Sequence, residues 1–184
     1  MDNLPGTLEL VTGPARSGKS RWAEHRALSS GRSIRYLATG PQLPGDPSWQ
    51  QRLERHRRRR PSHWHCEEVQ FHLVPALRAV DTRELVVVDS LGTWVSWALD
   101  LDGASWLQHC EDLLTALKRC PADVVLVSEQ TGWGVVPPTP VGGLFRDRLG
   151  ALEDFLSPHC HHLWLVVAGR AMDLMAISSP VPPL

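Results

Sequence analysis

An eight-residue segment near the start of the chain has the residue types and spacing of a phosphate-binding loop. It reads Gly13-Pro14-Ala15-Arg16-Ser17-Gly18-Lys19-Ser20, between an apolar run at 8–12 and a helix-compatible stretch at 21–28. Glycines let successive backbone N–H groups point at phosphate oxygens, and the following helix adds the positive end of its dipole. Lys19 is then expected to reach the β- and γ-phosphates, and Ser20 to offer its hydroxyl to Mg²⁺. This context indicates a P-loop for a nucleoside triphosphate, not merely a glycine-rich turn.

An acidic residue farther along the chain is the second candidate for phosphate chemistry. Asp89 ends the apolar run Leu85-Val86-Val87-Val88, which has the form of a Walker B strand. An acid at this position holds the Mg²⁺ that bridges the β- and γ-phosphates. The alternative is that Asp89 caps the following helix. Because a P-loop lies upstream, the sequence favours the metal role.

The third candidate is a histidine within an arginine-rich run. Residues 52–61 read Arg52-Leu53-Glu54-Arg55-His56-Arg57-Arg58-Arg59-Arg60-Pro61. In a helix, Arg52, His56 and Arg60 would lie near one face. Neighbouring positive charges disfavour a protonated imidazole, so we expect His56 to be neutral and able to attack phosphorus while guanidinium groups bind phosphate. The alternatives are a solvated basic helix with a bystander histidine, and a basic patch for nucleic acid.

Composition restricts the kinds of partner and compartment. The chain has 184 residues, a formal net charge of −1 and four cysteines without a C-x-x-C pair. We therefore expect no nucleic-acid partner, no structural zinc site, and reduced thiols in a cytoplasmic protein. No apolar run approaches the ~20 residues that span a membrane, and the first residues do not form a signal peptide.

Apolar runs alternate with helical patterns along the chain. We predict strands at 8–12, 34–38, 85–89, 124–128 and 163–168, and helices at 19–28, 48–59, 72–80, 91–99, 105–119 and 143–156. This alternation predicts an α/β fold like that of P-loop NTPases: a doubly wound, mostly parallel sheet with helices on both faces. Residues 1–177 are expected to form one nucleotide-binding domain, and residues 178–184 a disordered, proline-rich tail. The P-loop, Thr39-Gly40, Asp89-Ser90 and Glu129-Gln130 should meet at the carboxyl edge of the sheet.

Several segments, in order, resemble the motifs of one enzyme family. They are Leu10-Val11-Thr12-Gly13-Pro14-Ala15-Arg16-Ser17-Gly18-Lys19-Ser20, Tyr36-Leu37-Ala38-Thr39, Arg52-Leu53 with His56-Arg57, Arg60-Pro61 with Trp64 and Glu68, Val88-Asp89-Ser90-Leu91 with Trp94, Gly132-Trp133-Gly134-Val135-Val136-Pro137 with Phe145-Arg146-Asp147, and Leu163-Trp164-Leu165-Val166-Val167-Ala168-Gly169. Over residues 9–169 the chain resembles the bifunctional adenosylcobinamide kinase / adenosylcobinamide-phosphate guanylyltransferase of cobalamin biosynthesis.

The resemblance implies two reactions and a set of site residues. The kinase phosphorylates the aminopropanol hydroxyl of adenosylcobinamide, with ATP or GTP. The transferase places GMP from GTP on a histidine, releases pyrophosphate, and passes GMP to adenosylcobinamide phosphate to give adenosylcobinamide-GDP. The matching histidine is His56, and Lys19 is the second catalytic residue. By the same resemblance, nucleotide contacts fall on residues 13–20 and on Ala38, Thr39, Gly40, Arg57, Arg58, Arg59, Arg60, Glu68 and Asp89, Mg²⁺ falls on Ser20 and Asp89, and the assembly is a homo-oligomer, a ring-like trimer.

The sequence departs from this family's pattern at three places. Glu129-Gln130 replaces Asn-Glu, Ser48 replaces a glutamate before the histidine, and Glu153 replaces an asparagine. Two other functions therefore stay open. One is a P-loop NTPase with a regulatory or nucleic-acid-associated role. The other is a degenerate family member that only binds nucleotides.

Overall fold

A single mixed sheet organises the chain in the computed structural model, which describes residues 6–81 and 83–182. The side chain of Arg52, expected beside His56, lies outside the described residues. The strand order is β3-β2-β4-β5-β1-β6-β7, parallel throughout except for β7. The strands are β1 Leu8–Thr12, β2 Ser33–Ala38, β3 His65–Glu68, β4 Glu84–Asp89, β5 Asp123–Val127, β6 His162–Val167 and β7 Arg170–Asp173.

The described part of the chain has seven helices, of which the first six lie between strands and the last follows β7. They are α1 Lys19–Ser29, α2 Pro47–Arg59, α3 Leu73–Arg78, α4 Leu91–Ser96, α5 Gly103–Arg119, α6 Pro140–Leu156 and α7 Leu174–Ile177, with a 3₁₀ turn at Ser157–His159. Side-chain caps set several helix starts, for example Asp46 on Trp49 N–H and Thr139 on Gly142 N–H. The Thr139 cap begins α6 three residues before the predicted start at 143. None of the described helices has the length and apolarity needed to cross a membrane.

The doubly wound architecture expected from the sequence is confirmed, because apolar residues are buried on both faces of the sheet. Along β4, Val86 and Val88 pack on one face, whereas Leu85 and Val87 pack on the other. Helices α3, α4, α5 and α6 cover the first face, and α1 contributes small buried residues to the second. Burial on both faces explains why the central strands are continuous apolar runs.

A half-buried histidine packs against aromatic residues of the larger of these two cores. The His109 ring stacks between Phe71 and Trp94, with centroid distances of 4.6 and 4.7 Å. Burial lowers the pKa of His109, and the nearby Asp112 carboxylate opposes this effect. The folded chain therefore holds this imidazole preferentially in its neutral form.

Two elements differ from expectation. Strands β3 and β7 were not predicted. Helix α2 ends at Arg59, as predicted, so Arg60 does not share a helix face with His56. Arg60 has φ −76° and ψ 132°, so it caps α2 in an extended conformation and does not continue the helix. The predicted division into a domain at 1–177 and a tail at 178–184 stays a prediction. Residues 178–182 are in neither helix nor strand, and 183–184 lie outside the described residues.

Candidate nucleotide-binding and catalytic site

The P-loop follows β1 directly and leads into α1. Gly13 packs against β6 so closely that an added Cβ would lie 2.2 Å from the carbonyl oxygen of Val166. Gly18 has φ 106°, in the region that favours glycine, and caps α1. Only glycine fits both requirements, which explains the spacing of this motif. Lys19 and Ser20 begin α1 at the positive end of its dipole.

A cavity of about 420 Å³ opens beside this loop; we call it the P-loop cavity. Its lining is cationic, and it includes the tip of the P-loop and one face of α2. The lining residues used below are Arg16, Lys19, Ser20, Trp49, His56 and Arg59. Guanidinium and ammonium groups around one hollow are the chemistry that binds a phosphate chain.

A second cavity, of about 300 Å³, lies over the carboxyl ends of the strands; we call it the sheet-edge cavity. Trp49, Leu53 and His56 reach it from α2, and Phe145 reaches it from α6. Trp49 and His56 also line the P-loop cavity, so these two side chains form the wall between the hollows. Positions 49, 53 and 56 follow the i, i+4, i+7 spacing of one helix face. That spacing is the signal by which Trp49 was detectable from the sequence.

His56 and Asp89 contact each other in the folded chain. Nδ1 of His56 lies 3.5 Å from Oδ2 of Asp89 and 3.4 Å from Nη2 of Arg59. Burial raises the pKa of the Asp89 carboxyl, but hydrogen bonds from His56 and Tyr36 outweigh it and lower the pKa to about 2. Asp89 is therefore ionised at neutral pH. A carboxylate against Nδ1 orients the imidazole and leaves Nε2 for another partner.

Tyr36 belongs to a quoted family motif but was not assigned to the site from the sequence, and it supports this pair. Its hydroxyl donates to Oδ2 of Asp89 at 2.5 Å, and its side chain is fully buried. The guanidinium of Arg60 lies 3.6 Å from the Tyr36 ring centroid, a cation–π contact. Tyr36 lies two residues before the end of β2. The sequence signal was its hydroxyl on a strand whose carboxyl end was already assigned to the site.

The arginines predicted to contact nucleotide lie in different places. Arg57 donates to Glu68 at 2.6 Å on the sheet-edge cavity, and Arg59 donates to Glu24 at 3.0 Å on the P-loop cavity. Arg58 differs, because its exposed guanidinium pairs with Glu54 one turn earlier and lines neither cavity. The expectation that Arg58 contacts nucleotide is not supported by this geometry, since it lies on the solvent face of α2.

The loop after β2 connects the two ends of the site. Ala38 and Gly40 line the sheet-edge cavity, whereas Thr39 is buried beneath it. The Thr39 hydroxyl donates to the carbonyl of Ser90 at 2.6 Å, and the Trp97 indole donates to the Thr39 carbonyl at 2.8 Å. Thr39 therefore fixes the backbone after Asp89, a positioning role for a residue predicted to contact nucleotide.

Two of the departures from the family pattern contact each other. The Gln130 side chain donates to Glu153 at 2.6 Å, and the hydroxyl of Thr12, just before the P-loop, donates to the same carboxylate at 2.7 Å. Burial raises the pKa of Glu153, and these donors oppose it. Through Thr12, the Gln130–Glu153 pair supports the base of the P-loop. Ser48 lines the P-loop cavity at the start of α2.

The donor atoms of the site determine whether it could hold Mg²⁺. Among residues 6–81 and 83–182, no three His, Cys, Asp or Glu side chains form a group that could hold a metal. Ser20 and Asp89 offer a hydroxyl and an ionised carboxylate on the two sides of His56. Mg²⁺ takes few protein oxygens and keeps water and substrate phosphates, so these donors fit Mg²⁺ that arrives with a nucleotide.

With this geometry in place, the chain was compared with known proteins. Residues 9–174 match the family described as cobinamide kinase / cobinamide phosphate guanyltransferase. The chain is 36% identical over 168 residues to the bifunctional adenosylcobalamin biosynthesis protein CobP of Pseudomonas aeruginosa, covering 90% of this chain and 96% of that protein. It is 35% identical over 180 residues to the bifunctional adenosylcobalamin biosynthesis protein CobU of Escherichia coli, covering 90% and 98%.

Solved structures agree on the fold. The flagellar accessory protein FlaH of Methanocaldococcus jannaschii aligns with a TM-score of 0.52 at 14% identity, covering 95% of this chain and 82% of that one. At this identity the likeness concerns the fold alone.

Proposed function

Because the chain belongs to the cobinamide kinase / cobinamide phosphate guanyltransferase family, we propose that it phosphorylates adenosylcobinamide and then transfers GMP to the product through a guanylyl-His56 intermediate. One observation carries the assignment of His56. Its side chain lines both the P-loop cavity and the sheet-edge cavity, against the ionised Asp89. A nucleophile in that wall reaches a nucleotide on one side and an acceptor on the other.

The kinase step uses the P-loop for the triphosphate, which is GTP or ATP. Lys19 neutralises the β- and γ-phosphates, and the hydroxyl of adenosylcobinamide attacks the γ-phosphorus from the sheet-edge cavity. The new O–P bond forms as the bond to the β–γ bridging oxygen breaks, and the nucleoside diphosphate leaves. Mg²⁺, when bound by Ser20 and Asp89, supplies further neutralisation of the phosphate charge.

The transferase step uses His56 as the nucleophile. Nδ1 faces Asp89, so Nε2 attacks the α-phosphorus of GTP, and the bond to the α–β bridging oxygen breaks to release pyrophosphate. Arg57, Arg59 and Arg60 line the two cavities and hold the phosphates. A phosphate oxygen of the phosphorylated acceptor then attacks the same phosphorus, the P–N bond breaks, and His56 is restored.

The surroundings support three further assignments. The formal net charge of −1 gives the chain no overall attraction for a long polyanion, which argues against a nucleic-acid partner. Trp133, Val135 and Val136 are exposed apolar residues, which we assign to contact with another copy in a homo-oligomer. The family resemblance implies that this homo-oligomer is a trimer. All four cysteines are free thiols, as expected for a cytoplasmic enzyme.

The proposed function is tested by following both products. Wild-type chain is incubated with adenosylcobinamide, ATP or GTP, and Mg²⁺, and the corrinoids are separated by chromatography. We expect adenosylcobinamide phosphate first and adenosylcobinamide-GDP second. The Lys19→Ala variant should lose several kcal/mol of transition-state stabilisation in both steps. Hydrolysis of the nucleotide without either corrinoid product would favour a regulatory NTPase, and nucleotide binding without turnover would favour a degenerate member.

A further inference from the structure

The sheet-edge cavity contains a carboxylate that neither step above uses. Within the described residues, three acidic side chains line this cavity: Glu68, Asp89 and Glu129. Asp89 is bound by Tyr36 and His56 and has a pKa of about 2, so it is a poor base. Glu68 is held by Arg57 at 2.6 Å and also by the Gln42 amide. Glu129 is the remaining carboxylate.

The sheet topology explains where Glu129 lies. Strand β5 runs between β1, which leads into the P-loop, and β4, which ends at Asp89. Glu129 follows β5 by two residues and so lies at the sheet edge between the P-loop and Asp89. The next residue anchors this position, because Gln130 N–H donates to the Gly13 carbonyl at 3.0 Å.

The contacts of Glu129 are with neutral donors. Its Oε2 accepts from the Gly92 N–H at 3.0 Å, and Ser90 also donates to the carboxylate. Burial raises the pKa of Glu129, while Ser90 and the charge of Lys19 oppose the rise. A carboxylate with a raised pKa is a stronger base than one held by arginine. A Cβ added at Gly92 would lie 2.2 Å from Oε2, so any other residue there would displace the Glu129 carboxylate from this position.

We propose that Glu129 is the general base of the phosphoryl-transfer step and takes no part in guanylylation of His56. This inference rests on the proposed kinase function. The acceptor is an alcohol on the side chain of the corrinoid, lying in the sheet-edge cavity. Its O–H proton passes to the Glu129 carboxylate as the oxygen bonds to the γ-phosphorus. The γ-phosphorus–oxygen bond of the nucleotide breaks, the nucleoside diphosphate leaves, and Glu129 later returns the proton to water.

The Glu129→Gln variant tests the proposal, because an amide oxygen still accepts from Gly92 but is not a base. Phosphorylation of adenosylcobinamide is measured beside capture of label from α-labelled GTP on the same preparation. We expect kcat for phosphorylation to fall about 10²- to 10⁴-fold and the capture rate to stay within about threefold. A phosphorylation rate within about threefold of wild type, or an equal fall in both rates with the fold intact, would overturn the proposal.

Two further variants keep this test decisive. Glu153→Gln removes another buried carboxylate at the same edge that lines neither cavity, and should leave the ratio of the two rates unchanged. If Glu129→Gln does not fold, Glu129→Asp keeps the charge but withdraws it by one methylene. It should slow phosphorylation by about tenfold or more and leave the capture of label unchanged. If Glu129→Asp does not slow phosphorylation selectively, Glu129 is not the general base. If the wild-type protein itself forms no phosphorylated corrinoid, the proposed function is refuted, whatever the result for the Glu129 variants.

Discussion

Replacing Tyr36 with phenylalanine removes one hydroxyl and keeps the ring beneath Arg60. In the folded chain that hydroxyl donates to Oδ2 of Asp89 at 2.5 Å, and the same oxygen faces Nδ1 of His56 at 3.5 Å. The Arg60 guanidinium, 3.6 Å from the ring centroid, keeps its cation–π contact in the variant. The substitution therefore isolates one contact that fixes the carboxylate behind the proposed nucleophile.

The expected size of this effect follows from the pKa of Asp89. The folded value of about 2 lies below the ordinary 3.8, which favours the ionised carboxylate by roughly 2 kcal/mol after the opposing effect of burial. A hydrogen bond to a charged group contributes about 1.5–3 kcal/mol. We therefore expect Tyr36→Phe to lower the free energy of unfolding by about 1–3 kcal/mol and the rate of GMP capture about 10- to 100-fold.

The stability effect has a defined pH dependence. Because the pKa of Asp89 is depressed in the folded state, its contribution is complete above the unfolded value of 3.8 and is lost as the pH falls through about 2. In Tyr36→Phe the folded pKa rises toward 3.8. The difference in unfolding free energy between wild type and variant should therefore be largest at neutral pH and should shrink on acidification.

Two measurements check these expectations. Urea unfolding of both chains from neutral to acidic pH gives the stability difference, and rapid-quench capture of α-labelled GTP gives the rate. Tyr36→Leu, which also removes the ring beneath Arg60, serves as the comparison and should be slower still. If Tyr36→Phe captures label at a rate within about twofold of wild type, the hydroxyl does not position the Asp89–His56 pair.

Three further outcomes follow from the structure. Gly13→Ala places a methyl group 2.2 Å from a backbone carbonyl, so thermal unfolding should show a loss of about 1–3 kcal/mol or more, with loss of nucleotide binding; wild-type behaviour would contradict the packing argument. The pKa of His109 is lowered in the folded chain, so the free energy of unfolding of wild type should fall as the pH drops below the unfolded value of 6.5, and His109→Gln should reduce that fall. Denaturation at a series of pH values that gives the same dependence of unfolding free energy on pH for both chains would contradict this. Arg58→Ala should change stability by no more than about 0.5 kcal/mol and leave the kinetics of both steps unaltered, unlike Arg59→Ala; equal kinetic defects would restore Arg58 to the site.

The central sheet was predictable because its strands are buried on both faces. Runs such as Leu85-Val86-Val87-Val88 have no polar alternation, so their length and flanking residues identify them as strands. Strand β3 reads His65-Cys66-Glu67-Glu68 and is only partly buried at the edge of the sheet. Strand β7 is short and antiparallel, with Arg170 exposed. Edge strands carry little hydrophobic signal, so both were missed.

The site was predictable where a motif fixes local geometry. The P-loop, His56 and Asp89 are found by residue type and spacing, and the fold brings His56 to Asp89. Tyr36 and Glu129 depend instead on strand order, because their roles come from neighbours distant in sequence. Arg60 was expected on a helix face, but Pro61 follows it and α2 ends at Arg59, consistent with the extended preference of a residue before proline.

The most direct test of the account is a side-by-side assay of His56→Ala. Wild type and variant are incubated with α-labelled GTP, and protein-bound label is measured with its acid lability. The same preparations are tested for phosphorylation of adenosylcobinamide. We expect His56→Ala to capture no label and to form no adenosylcobinamide-GDP, yet still to phosphorylate adenosylcobinamide. Label captured at the wild-type level, or an equal loss of both activities in a folded variant, would contradict it.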